Sequence, residues 1–284
     1  MSTLLVLVLL ALAVASCAGA SLFLYLLTPA ILAGGFGGGP SSPSGGAAAY
    51  GGPVGGKPPG LVTKAGLAAY EFVLPKGVRG PFGKHFTMRP EGVLPADACR
   101  VRFKVWFDDA WPWTQTRTHN VGGKLGGFKM GRGSASGGDF SSTGASCRVT
   151  FNKDRGARAY LYPQLRKAYS GRTVPWSLLD QSPEVQRAGK VYTGLHLLSS
   201  KFKMGAWNEV ELYVKLNRPG AYDGVLEMVI NGDVQRLTSV RYRHTADVRI
   251  EELLIQPFFG GGDMSYAPPA DMRLWYADFR LSAS

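Results

Sequence analysis

The sequence predicts an all-β fold: a jelly-roll β-sandwich of two antiparallel sheets. Three observations carry this expectation. From Leu61 onward the apolar residues recur with period two in short runs bounded by Gly, Pro, Asn and Asp, with no long 3.6-residue repeat. Asn231-Gly232 lies between two such runs, a strong type I′ hairpin signal. The chain has 284 residues, 45% of them hydrophobic, enough for the core of one large sandwich.

The front end does not belong to that sandwich. Residues 1–56 carry no charged side chain, and Leu4 to Leu32 is almost continuously apolar. About 20 apolar residues cross a bilayer as a helix, so residues 1–33 are expected to form a membrane anchor. A cleaved signal is the alternative, with small residues at Ala15, Ser16 and Ala18–Ala20, and Val14–Cys17 has the look of a lipidation box. Against it, the segment lacks a basic flank, and the apolar run resumes at Leu22–Leu27. Residues 34–60 follow as a Gly/Pro/Ser-rich linker with 12 glycines in 27 residues. Such a chain reaches roughly 30 Å end to end. The folded head is expected over 61–284.

The strands of the head follow in order. "CRVRFKVWF" sets Val101, Phe103, Val105 and Phe107 against Arg102, Lys104 and Trp106. "WNEVELYVKLN" sets Val210, Leu212, Val214 and Leu216 against Glu209, Glu211, Tyr213 and Lys215. Residues 224–240 form the Asn-Gly hairpin, and "DVRIEELLIQPFF" and "DMRLWYADFRL" add two more strands. The one plausible helical turn lies within Trp176–Arg187.

The pair "SCRVTF" and "ARAYLY" is unusual. Alternate side chains of a strand share a face. Cys147, Val149 and Phe151 therefore point to the core, as do Ala157, Ala159 and Leu161. The opposite face gathers Ser146, Arg148 and Thr150 with Arg158, Tyr160 and Tyr162. If Asn152 pairs with Gly156, Arg148 lies opposite Tyr160 and Ser146 opposite Tyr162, with neighbours about 5 Å apart. Upstream, the glycines of "THNVGGKLGGFKMGRGSASGGDF" suit a bending loop that approaches something closely and could bring Lys124 to the patch. That run lacks the order of a phosphate-binding P-loop.

Charge narrows the partners. Lys plus Arg number 32 against 20 acidic residues, a net charge of +12. This favours polyanions: nucleic acid, anionic lipid or acidic polysaccharide. No nucleic-acid module is recognisable. Cys17, Cys99 and Cys147 form no metal-ligand pattern; Cys147, on the core face, is expected to be a buried thiol, with a Cys99–Cys147 disulfide as the alternative. No metal or other cofactor is expected; Asp263 and Asp271 are the remaining candidate cation ligands.

Across most of Cys99 to Phe279 the chain resembles polysaccharide lyase family 14, which includes algal-virus lyases and molluscan alginate lyases. The resemblance lies in "GGKLGG", "SCRVTF…ARAYLYP", "WNEVELYVKLN", "INGD" and "FFGGGDMSYAPPADMRLWYADF". It implies a jelly roll with a concave cleft and a site of Lys124, Ser146, Arg148, Tyr160 and Tyr162. Gly126 departs from the family pattern, where proline often follows the Lys-Leu pair. The implied reaction is β-elimination on a 4-linked polyuronate such as alginate or glucuronan. Arg148, with Ser146 and Asn120, would neutralise the carboxylate, with Arg158 alongside. Lys124 or Tyr162 would be the base, Tyr160 or Tyr162 the acid. Arg148 is expected to depress the pKa of a nearby Tyr or Lys, with activity rising above neutral pH. The rival reading is a membrane-anchored, non-catalytic component that grips wall glycans, in a virus particle among capsid or membrane proteins, or on a cell surface.

Overall fold

A computed structural model describes residues 25–26, 60–81, 86–90, 92–133, 135–171 and 173–283. Apart from Tyr25, Leu26 and Gly60, the expected anchor and linker lie outside the described residues. Among the described residues, no helix is long and apolar enough to cross a membrane.

The head is a sandwich of two antiparallel sheets, as expected. The back sheet contains β1 (Tyr25–Leu26), β2 (Gly60–Lys64), β3 (Leu67–Leu74), β5 (Ala98–Phe107), β13 (Asn208–Lys215), β14 (Gly224–Ile230), β15 (Asp233–Val240) and β17 (Met272–Ala283). Its order is β15-β14-β13-β5-β17-β3-β2, with β1 also on β17. The front sheet contains β4 (Phe86–Met88), β6 (Gly122–Gly131), β8 (Gly144–Asn152), β9 (Gly156–Tyr162), β11 (Lys190–Val191), β12 (Leu195–Lys201) and β16 (Ile250–Phe259). Its order is β11-β12-β9-β8-β6-β16-β4. A small ribbon of β7 (Asp139–Phe140) and β10 (Tyr169–Ser170) stands apart.

Alternation sets which faces meet. Val101, Phe103, Val105 and Phe107 of β5 and Val210, Leu212 and Val214 of β13 are buried, while the residues between them are not. They pack against Cys147, Val149, Phe151, Ala157, Ala159 and Leu161 of the front sheet in one core. Aromatic rings close one end: Phe151 lies 5.0 Å from both Trp111 and Phe259. Burying each such ring is worth about 2–3 kcal/mol. The Asn231-Gly232 turn has φ values of 53° and 88°, the positive pair that a type I′ turn requires. The helical region resolves into α1 (Trp176–Leu179) and α2 (Pro183–Ala188), the second capped by the Ser182 hydroxyl.

One sequence expectation is corrected, and of the two options for Cys147 the buried thiol is the one observed. The Cys99–Cys147 disulfide is not formed: both thiols are free and buried, one in each sheet. The glycine-rich run around Lys124 is no loop. It is β6, an inner strand hydrogen-bonded to β8 on one side and β16 on the other. Its glycines answer to crowding. A Cβ on Gly123 would stand 2.3 Å from the Phe151 ring, and one on Gly127 would stand 2.2 Å from the Cys147 carbonyl. Gly127 also has φ +153°, a conformation that favours glycine.

Candidate active site

The site lies on the outward face of the front sheet. The β8–β9 register matches the sequence reading: Asn152 opposes Gly156, Arg148 opposes Tyr160, and Ser146 opposes Tyr162. Asp154 and Arg155 turn the three-residue loop with φ of 58° and 61°. Lys124 joins from β6, where it pairs with Thr150. A register shift follows between Lys124 and Gly126 and accommodates Leu125, which is fully buried. Lys124 Nζ lies 5.3 Å from the Tyr160 ring centre, 5.4 Å from that of Tyr162 and 5.5 Å from that of Phe258.

This face is not the solvated surface that parity alone suggests. Lys124 and Arg148 are each 8% exposed, Tyr160 6%, Ser146 3% and Tyr162 1%. The two tyrosines join a second apolar cluster with Ala135, Phe140, Leu165, Val174 and Leu179, built over the sheet by the β7–β10 ribbon and α1. The Phe140 and Tyr162 rings are 4.8 Å apart.

Hydrogen bonds fix each group. Arg148 Nη1 donates to Gln256 Oε1 of β16 at 3.0 Å. Between them runs β6, and Gly127 there stands opposite both Arg148 and Leu254, presenting no side chain to block the guanidinium. The Tyr160 and Tyr162 hydroxyls lie 2.9 Å apart. Tyr160 Oη is also 2.6 Å from Thr193 Oγ1. Tyr162 Oη accepts from the Gly138 N–H at 3.1 Å. Ser146 Oγ donates to the Ala135 carbonyl at 2.5 Å, so its proton is engaged within the chain. Asn120 is not brought into this group: its side-chain amide donates to Ser265 Oγ at 2.7 Å. Arg158 stands opposite Thr150, two residues before Tyr160 on the same face.

The family profile for polysaccharide lyase 14 matches residues 74–279. The chain belongs to polysaccharide lyase family 14. It is 27% identical over 181 residues to Exolysin of Paramecium bursaria Chlorella virus 1. That match covers 58% of this chain but spans about a quarter, 26%, of Exolysin. Among solved structures it is similar to the alginate lyase vAL-1 from Chlorella virus, with a TM-score of 0.62 and 23% identity over 80% of this chain and 89% of that one. The PL-14 alginate lyase of Aplysia kurodai gives a TM-score of 0.62 and 22% identity over 76% and 83% of the two chains. These two likenesses establish the sandwich fold.

In this family-14 chain, electrostatics separates the groups. Burial, then the Arg148 charge, holds the Lys124 ammonium well below the ordinary lysine range. Burial lowers Arg148 to about 10, with the tyrosines opposing. Tyr160 is pushed well above its ordinary range by burial first and by Tyr162 next. Tyr162 is raised by burial, against lowering contributions from Thr193, Tyr160, Gly138 and Arg148. The expectation that Arg148 depresses a neighbouring pKa therefore holds in direction for Lys124, where burial acts the same way and more strongly. For the tyrosines it fails in sum, because desolvation outweighs the guanidinium. The charged form is therefore disfavoured on Lys124 and on both phenols.

Sequence reasoning missed Gln256, Thr193 and His196. His196 stands opposite Tyr160, with ring centres 4.4 Å apart, and burial lowers its pKa to about 4, helped by Arg158 and Lys124. The parity of "LHLL" was the available signal, since it places His196 on the outward face between the buried Leu195 and Leu197. The cation-ligand candidates have other duties: Asp263 caps a 3-10 turn through Ser265, and Asp271 accepts from the Lys76 N–H.

Proposed function

We propose that the chain is a lyase that cleaves an acidic polysaccharide of the alginate or glucuronan type by β-elimination. One observation carries this reading. The Arg148 guanidinium is nearly buried beside the equally buried Lys124 amine, and among the described residues neither has a carboxylate partner within 4.0 Å. Buried charge without a counter-ion is costly. An anionic sugar would supply the missing charge.

The geometry supports the following roles. Arg148, oriented by Gln256, meets the uronate carboxylate and stabilises the enolate that forms as C5 loses its proton. Lys124 takes that proton, since its ammonium is the disfavoured form. Tyr160 gives a proton to the departing O4, since its phenol is the favoured form. The C5–H electron pair becomes the C4–C5 double bond as the C4–O4 bond breaks. Tyr162 positions Tyr160, and Arg158 lies along the polymer path. The apolar run of residues 4–32 supports a further reading, that this head is held at a membrane on a cell surface or virus particle.

The test is to incubate the full chain with alginate and with polyglucuronate and follow far-ultraviolet absorbance of the unsaturated product. Product from the intact chain and none from Lys124→Ala is the expected result. Binding of either polymer without product from the intact chain would establish the glycan-gripping alternative instead.

A further inference from the structure

The elimination leaves a question about reset. Each turnover ends with a Lys124 ammonium and a Tyr160 phenolate, and both must return to their starting forms. Yet Tyr160 is only 6% exposed and Tyr162 only 1%. Bulk water has poor access to the phenol that has just lost its proton.

The structure offers one route to that oxygen. Tyr192, Thr193 and Gly194 form the turn between β11 and β12, closed by a Tyr192 N–H to Gly194 carbonyl bond of 2.9 Å. Gly194 lies flat on the tyrosines: a Cβ there would stand 2.6 Å from the Tyr162 ring and 2.8 Å from the Tyr160 ring. This close approach sets the Thr193 hydroxyl 2.6 Å from Tyr160 Oη. Thr193 itself is half-buried, and its neighbour Tyr192 is 56% exposed, so the turn reaches from the buried phenol to solvent.

The direction of the hydrogen bonds suits such a route. A hydroxyl has one proton and two lone pairs. The Gly138 N–H can only donate, so it takes one lone pair of Tyr162 Oη, and the proton shared with Tyr160 can sit on either phenol. Once Tyr160 is a phenolate its oxygen can only accept, so the Thr193 hydroxyl becomes the donor across the 2.6 Å contact.

We propose that Thr193 is a proton-relay residue that reprotonates Tyr160 between turnovers. This rests on the lyase reading above. After O4 has taken the Tyr160 proton, the Thr193 O–H passes its proton to the phenolate and takes another from water. The Lys124 ammonium returns its proton to water. The net transfer is one proton from C5 to O4, and no other reactant is consumed.

The experiment compares the intact chain with Thr193→Val and Thr193→Ser on alginate and polyglucuronate, in rapid-mixing and steady-state modes. Thr193→Val begins only its first cycle with Tyr160 protonated. Its first turnover is expected at the intact rate, as a burst of one product per site. Later turnovers should slow ~10²- to 10⁴-fold, the typical worth of a positioned proton transfer, with KM falling in step so that kcat/KM is unchanged. A small external acid such as imidazolium should restore the later turnovers, and Thr193→Ser should keep them. A first turnover slowed as much as the rest would mark a structural role and overturn the relay, as would an unchanged steady state. Absence of product from the intact chain would overturn the lyase reading itself, and the relay with it.

Discussion

The outward faces of the two sheets invite comparison, because both carry rows of cations on period-two strands. On the back sheet many of the cations are answered by carboxylates. Arg100 pairs with Glu211 and Glu227, Arg102 with Glu211, Lys104 with Asp278, and Arg236 with Glu227. At the centre of the front sheet Lys124 and Arg148 lie under cover with phenols and a neutral amide as neighbours. Paired charges at the surface describe a solvated wall. A guanidinium beneath the surface with no carboxylate beside it is the feature on which the proposed anionic substrate rests.

The sharpest way to break this comparison is to remove one lysine from each face. Lys124→Met should lower turnover on polyuronate by ~10²–10⁴-fold, the usual worth of a general base. The same change should raise the melting temperature near neutral pH. The folded-state pKa of Lys124 is lowered, so the unfolded chain binds its proton more tightly. Stability therefore rises with pH through the window that ends near 10.5, the ordinary lysine value. Removing the group removes that dependence. Lys104→Met, on the back sheet, should leave turnover unchanged. Paired kinetics and calorimetry on the two variants decide it.

Next in size is Arg148→Lys, which keeps the charge but loses the fork held by Gln256. Turnover should fall by ~10²–10³-fold, read from initial rates at saturating polymer. A smaller, pH-resolved effect concerns His196. Its pKa falls from 6.5 to about 4 on folding, so between those values the unfolded chain takes a proton that the native chain refuses. Stability should drop by up to about 3 kcal/mol as pH falls through that window. His196→Gln should flatten this part of the profile, measured by denaturant melts from pH 7 to 4. Smallest of all, Arg102→Ala on the back sheet should cost no more than about 1 kcal/mol, because its ion pair is exposed.

Much of the site was legible because it is local. The β8–β9 hairpin closes over three residues, so turn chemistry and parity together determine which of Ser146, Arg148, Tyr160 and Tyr162 face one another. The unread parts are long-range. Gln256 is 108 residues from the arginine it orients, and Thr193 is 33 from the tyrosine it touches. No periodicity encodes such distances. The β6 strand was misread for a different reason. Glycine has low strand propensity, and only the assembled sheet reveals that Gly123 makes room for Phe151 and that Gly127 faces Arg148. The tyrosine pKa direction was misread because a sequence displays the neighbouring charge but not the depth of burial.

The position of Lys124 has one more consequence. Its strand is laddered on both sides, to β8 and to β16. Inner strands of this kind open only with the whole domain, and their amides exchange last. A base carried on a loop would be lost to fraying well before the protein melts. Here the amides around Lys124 should be among the slowest to exchange with deuterium, and heat should extinguish catalysis and structure at the same temperature.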